Sequence, residues 1–143
     1  VFARAWWVVF MSAWATAAEP APTVGVEVQL VRASRGEPYV DPALRDELVD
    51  LQSLPYNRFE RVGGGTVRVA VGGTQDLNLG LGVQVRATVS GIGASSAPVL
   101  VQVMRDGQAL TRTTLERPFE RAGVISAGRD GAAVLIVPVT VHR

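Results

Sequence analysis

Hydrophobic and polar residues alternate along most of this 143-residue chain, and the places where the alternation fails divide it into parts. Val24, Val26, Val28 and Leu30 fall on one side of an extended segment, with Gly25, Glu27 and Gln29 on the other. That two-residue period belongs to a strand with one buried face. The run stays apolar through Val31, and Arg35-Gly36-Glu37-Pro38 breaks it. Asp41-Pro42 then supplies a helix cap followed by proline at the first helical position. Over residues 42–54 the period changes. Leu44, Leu48, Val49 and Leu51 recur at helical spacing, while Arg45, Asp46, Glu47 and Asp50 take the opposite side. The spacing predicts one amphipathic helix ending at Leu54, because Pro55 disfavours helical geometry in the residue before it.

After the helix, residues 56–62 read as extended and the triple glycine Gly63-Gly64-Gly65 ends them. From Thr66 the period is two again, through Val67, Val69 and Val71, then Leu77, Leu79 and Leu81, then Val83, Val85, Ala87 and Val89. Gly72-Gly73 reads as a tight turn, and Gly80 and Gly82 as a bulge or bend in a continuing strand. A loop over 90–96 leads to Val99, Val101 and Val103, and Asp106-Gly107 closes a two-residue hairpin onto a strand at 108–115. The last strand, 132–141, is apolar on both faces at Val134-Leu135-Ile136-Val137 and therefore central, with Pro138 demanding an edge or bulge position. These elements predict an α+β domain that is mostly β: an antiparallel sandwich or half-open barrel with one amphipathic helix across a face.

The first eighteen residues differ from the rest. Arg4 precedes an apolar run over 5–15 and the small-residue exit Ala15-Thr16-Ala17, the order of parts of a secretory signal peptide. The run falls short of the roughly 20 apolar residues that span a bilayer. Residues 1–18 are thus read as a leader, 19–23 as a Pro/Ala-rich lead-in and 24–143 as a single domain. This places the domain in the periplasm or outside a bacterial cell, touching a membrane only through an uncleaved leader. All three tryptophans lie in the leader, so the domain core is built from Val, Leu, Ile and Ala.

Charge and cysteine content narrow the chemistry. Without Arg4 the 14 basic residues become 13, balancing 13 acidic ones, and the signs alternate, as in Glu116-Arg117 and Glu120-Arg121. A nucleic-acid module would gather basic charge on one face, so none is expected as a partner. With no cysteine, disulfides, thiol catalysis, thiolate metal sites and lipid attachment at the processing site are all absent.

The candidate sites reduce to a few groups. His142 is the only histidine and the penultimate residue, so the sequence reads it as frayed and without a catalytic role. Asp46, Glu47 and Asp50 lack the spacing of a calcium loop and read as a solvated helix face. No metal site and no cofactor are expected. Gly91-Ile92-Gly93 lacks the third glycine and the following helix of a dinucleotide-binding turn, and Arg-Asp-Gly at 105–107 and 129–131 marks turns. The best candidate recognition cluster is Tyr56, Arg58 and Phe59, because aromatics and arginine are enriched at interfaces and the domain has few aromatics. The competing reading makes Phe59 core and Tyr56 a packing residue at the helix end.

The strand VEVQLVRAS, the segment DPALRDELVDLQSLPYNRFERV with its Tyr-x-x-Phe exit, and the closing TTLERPFERAGVISAGRDGAAVLIVPVTV resemble those of small exported bacterial β-rich proteins of unknown function. In that pattern Ala122-Gly123 and Gly128 through Gly131 occupy a glycine-rich turn before the last strand. The resemblance implies export and a β-rich architecture, and it carries no active-site residue. The expected function is an exported binding or structural domain of the bacterial envelope, an accessory part of a secretion or surface assembly, holding a protein partner by strand-edge pairing. The alternative is a small hydrolase of envelope polymers working through two carboxylates. No residue is singled out as catalytic, which leaves enzymatic activity open while pointing away from it.

Overall fold

The computed structural model describes residues 21–143; the leader over 1–18 and the start of the lead-in at 19–20 lie outside the described residues. The first strand, β1 (Thr23–Ser34), takes up the end of the lead-in, since Thr23 pairs with Ala70 and the carbonyl of Pro22 accepts from the amide of Val71 at 3.0 Å. Its even positions from Val24 to Leu30 face the interior, as alternation predicts. Val31 and Ala33 have the opposite parity and enter a second, smaller cluster on the outer face of the same sheet. The apolar face of β1 therefore changes from the inner to the outer side at Leu30–Val31.

The outer cluster explains what became of the helix. The sequence predicts a helix over 42–54; the chain instead forms a 3-10 turn at Pro42–Glu47 and a single turn of α-helix, α1 (Leu48–Leu51). Asp41 caps it as expected, accepting from the amide of Ala43 at 3.0 Å. Leu44 and Leu51 are fully buried against Val31, Ala33, Phe59 and Ile136, while Val49 is 67% exposed. Burying each leucine contributes about 1.5–3 kcal/mol, against helix propensities that differ by less than about 1 kcal/mol per residue. Where those two leucines must land thus outweighs the regularity of the helix.

Among the described residues nine strands form two sheets that do not close into a barrel, giving a sandwich with one short helical segment. The five-stranded sheet runs β2 (Tyr39–Val40), β3 (Arg58–Ala70), β1, β9 (Ala133–His142), β8 (Gly123–Asp130). The four-stranded sheet is a meander of β4 (Thr74–Gly80), β5 (Val83–Val89), β6 (Val99–Arg105) and β7 (Gln108–Leu115). Valines dominate the interior between them: Val26, Val28 and Val137 from one sheet, Val85, Val101 and Val103 from the other, all fully buried. The β6–β7 hairpin forms as predicted, with Asp106 and Gly107 at φ 52° and 81°, the pair of left-handed residues of a type I′ turn.

Four expectations are corrected. The triple glycine does not end a strand: β3 runs through it, bulging at Val62, where Leu30 pairs with Gly63 and Val31 with Arg61. Leu81 does not continue the alternation either; Leu81 and Gly82, at φ 52° and 75°, turn the chain back from β4 into β5, and the expected bulge falls between Asn78 and Gly80. The region around Gly123 and Gly128 is strand β8, not only turn, with Ile125 and Ala127 facing the core. Pro138 sits in a strand flanked on both sides by others. The β1–β9 ladder skips from Val28/Val139 to Val31/Ile136 around it, as a residue without an amide hydrogen requires. No helix among the described residues is long and apolar enough to cross a membrane.

Candidate functional site

The outer face of the five-stranded sheet has an apolar half, covered by Leu44 and Leu51, and a polar half beside it. Odd positions of β1 put Glu27 and Gln29 on this face, and the register brings Thr140 opposite Glu27 and His142 opposite Gly25. The end of the 3-10 turn lowers Glu47 onto the same patch, and Glu120, held at φ 68° with its amide donating to the carbonyl of Val141 at 3.0 Å, closes the side. Together Glu27, Asp46, Glu47, Glu120, Thr140 and His142 line a cavity of about 330 Å³.

His142, expected to be frayed, is the last residue of β9 and is held at both ring nitrogens: Nε2 lies 2.7 Å from Oε2 of Glu27, and Nδ1 lies 2.5 Å from Oε2 of Glu120. A carboxylate at each nitrogen calls for a hydrogen at each, the form only the imidazolium supplies. Burial opposes the charge, but the hydrogen bonds and charges of Glu27 and Glu120 outweigh it and raise the His142 pKa above its ordinary 6.5. Gln29 extends the chain of contacts. Its Nε2 donates to Oε1 of Glu27 at 3.2 Å and to Oε1 of Glu47 at 2.6 Å, and its Oε1 accepts from Nε of Arg61 at 3.2 Å. Glu47, read from sequence as solvated, is 3% exposed, and its Oε2 has no hydrogen-bond partner among the described residues. Burial first, then the neighbouring charge of Glu27, raises its carboxyl above the ordinary 4.5.

Both shifts favour the folded state at lower pH. A raised His142 stabilises fully below 6.5 and loses that contribution as pH climbs through its folded value; a raised Glu47 does the same starting from 4.5. The thermal midpoint of the wild-type domain is therefore expected to fall between about pH 6 and pH 8.5, and His142→Gln to flatten that fall. An identical fall in the variant, measured by calorimetry across the same buffers, would show that the imidazole is not the titrating group.

Asp50 is also not solvated: its side chain is 7% exposed and accepts from Arg121 at 2.9 Å, Arg117 at 3.3 Å and the amide of Ala122 at 3.1 Å. Burial opposes ionisation, yet the Arg121 hydrogen bond, the Ala122 amide and the two guanidinium charges hold the carboxyl below its ordinary 3.8. Its role is to fasten α1 to the segment between β7 and β8. Of the three carboxylates expected to face water, only Asp46 is exposed.

Of Tyr56, Arg58 and Phe59, the two aromatics share one apolar cluster and Arg58 stands apart from them. Phe59 is 3% exposed, inside the cluster of Leu44 and Leu51. Arg58 donates to Oε1 of Glu60 at 2.7 and 2.9 Å and covers the ring of Tyr39 at 5.1 Å. Tyr56 is half-buried and borders a separate cavity of about 300 Å³ that Arg35 and Arg129 also line. The packing reading of Phe59 and Tyr56 is thus the one their positions match, and the neighbourhood of Arg58 is an ion pair on a sheet edge. Gly91-Ile92-Gly93 is a loop closed by the amide of Gly93 on the carbonyl of Ser96 at 2.8 Å, and strand β6 follows.

No known protein family, curated protein or solved structure matches this chain. What the site can do rests on its own geometry. The sequence did carry a signal for it: Glu27 and Gln29 share a strand face, and Thr140 and His142 share one near the end of the last strand. What it lacked was the pairing of first strand with last.

Proposed function

We propose that the chain is an exported domain of the bacterial envelope that binds a protein partner by strand addition, acting as an accessory component of a secretion or surface assembly. The observation that carries this is β7. Among the described residues it pairs with β6 alone, and it runs eight residues without proline, lysine or any acidic side chain and leaves Leu110 44% exposed. Natural edge strands are usually blunted by such residues, and β7 carries only Arg112 and a bulge at Leu110. The other edge of that sheet, β4, approaches the glycines of β3, so it is less open to a newcomer.

The alternative hydrolase reading has one observation in its favour, the raised Glu47 carboxyl linked through Gln29 to Glu27. Glu27, the carboxylate that this link pairs with Glu47, has both oxygens engaged by Gln29 and His142 and so offers none to activate a water as the base of that pair. The binding reading is therefore preferred.

A photo-crosslinking side chain placed at Leu110 in cells producing the full chain is expected to give one discrete adduct with an envelope protein, and the same group at Gln84, on the central strand β5, none. The recovered protein should lie outside the cytosol with a mass lacking residues 1–18. Absence of any Leu110-specific adduct, or a cytosolic full-length chain, overturns the proposal.

A further inference from the structure

The acidic cavity on the outer face of the five-stranded sheet is separate from the β7 edge, which belongs to the other sheet. Four carboxylates and one imidazole line it. Among the described residues no arginine forms a salt bridge with Glu27, Asp46, Glu47 or Glu120; the only cationic partner is His142, shared by Glu27 and Glu120. The cavity is therefore net negative even with His142 charged. Both oxygens of Glu27 and Oε2 of Glu120 are already occupied. What remains to meet a ligand is Oε2 of Glu47, the second oxygen of Glu120 and the exposed carboxylate of Asp46.

Oε2 of Glu47 carries the argument. It belongs to a residue 3% exposed, it has no hydrogen-bond partner among the described residues, and the residue lines the cavity. A buried acceptor without a donor is destabilising, and an extra anion beside Glu27 compounds that cost. We propose that this cavity binds an N–H cation, a primary ammonium or guanidinium group, with Oε2 of Glu47 as its buried acceptor. Such a group brings the hydrogens that every free acceptor here lacks, together with the opposite charge. A divalent metal fits less well: among the described residues no group of three or more His, Asp or Glu is arranged to hold one, and hard cations draw on six or more oxygens. The volume of about 330 Å³ is near the lower end for ligand cavities, which suits a small amine or the head of one basic side chain.

The test follows the His142 ring protons by NMR while butane-1,4-diamine, methylguanidine, an N-acetylated peptide carrying one lysine, or calcium is added to the domain. Saturable shifts with at least one N–H cation, at dissociation constants near the millimolar range, are expected. Glu47→Gln keeps the shape and the contact with Gln29 and should weaken that binding about tenfold, the loss of one charge-assisted hydrogen bond. Asp46→Asn, on the exposed rim, should weaken it less and serves as the second variant should Glu47→Gln alter the fold. Tighter binding of the diamine identifies a free amine as the source, and tighter binding of the peptide a partner's side chain; either supports the site. No saturable shift with any N–H cation, unchanged affinity in both variants, or the same shift from calcium at lower concentration overturns it.

Discussion

Gly63→Ala is expected to cost the domain about 3 kcal/mol or more, at the top of the range for overpacking a core, and to lower its thermal midpoint by roughly 10 °C. The reason is steric and local. A Cβ at Gly63 would stand 1.9 Å from the carbonyl oxygen of Leu79 and 3.0 Å from its carbon, both backbone atoms of the neighbouring sheet. Leu79 is itself 3% exposed, in the main core. A flexible side-chain tip could rotate away, whereas here β4 as a whole must retreat from β3, opening the core between the sheets. Gly36, with nothing within 4 Å of an added Cβ, is the control: Gly36→Ala should change stability by less than about 1 kcal/mol, and could raise it by restricting the unfolded chain. Urea unfolding of both variants checks this, and similar midpoints for the two would refute the close approach of β3 and β4.

That glycine shows where the sequence stops being legible. Alternation identifies which residues of β5, β6, the first half of β1 and the second half of β9 face the core, because a strand half covered by a partner sheet writes its two faces directly into the chain. The Asp106-Gly107 turn is equally plain, since few residue pairs accept two left-handed positions. A run of three glycines, by contrast, has the same local appearance whether it ends a strand or lets another backbone come within contact distance. The choice is made by β4, whose position in the sandwich no local pattern encodes. The helix failed for a related reason: the leucines at 44 and 51 are seven apart, a spacing that fits an ideal helix, but their target is a patch formed by Val31, Phe59 and Ile136 from three separate strands.

The acidic cavity has the same history. Each of its residues looked ordinary alone: a carboxylate in a strand, a charged helix face, a histidine one place from the end. The site exists because β1 and β9, first and last of the described strands, lie side by side. His142 looks peripheral in sequence and is bridged in space. The Tyr56, Arg58 and Phe59 group is split in space: Tyr56 and Phe59 pack into one apolar cluster, while Arg58, next to Phe59 in sequence, turns away from it to Glu60.

Asp50→Ala is expected to destabilise the domain by about 2 kcal/mol, and the larger part of that should come from an amide rather than from the ion pairs. Three donors meet this one carboxylate. Arg117 and Arg121 are about half exposed, with side chains 47% and 49% accessible, so water takes them back readily and each pair is worth at most about 1 kcal/mol. Ala122 is 4% exposed, and its N–H, losing Oδ2 of Asp50, is left buried without an acceptor at a cost of about 1–3 kcal/mol. Asp50→Asn tests the division, because its amide oxygen can still accept from Ala122 while the charge is gone; it should lose only about half as much as Asp50→Ala. High salt should leave most of the Asp50→Ala deficit in place, since screening weakens ion pairs and not a missing acceptor. Acid sets the third comparison. With the Asp50 carboxyl held below 3.8, its ionic contribution is present above that value and lost as pH falls through the folded one, so at low pH the wild type should fall towards the stability of Asp50→Asn, whose neutral oxygen still accepts from Ala122, and stay above Asp50→Ala. A deficit that vanishes in salt, or an Asn variant as weak as the Ala variant, would mean that the two arginines, and not the buried amide, hold α1 to the segment between β7 and β8.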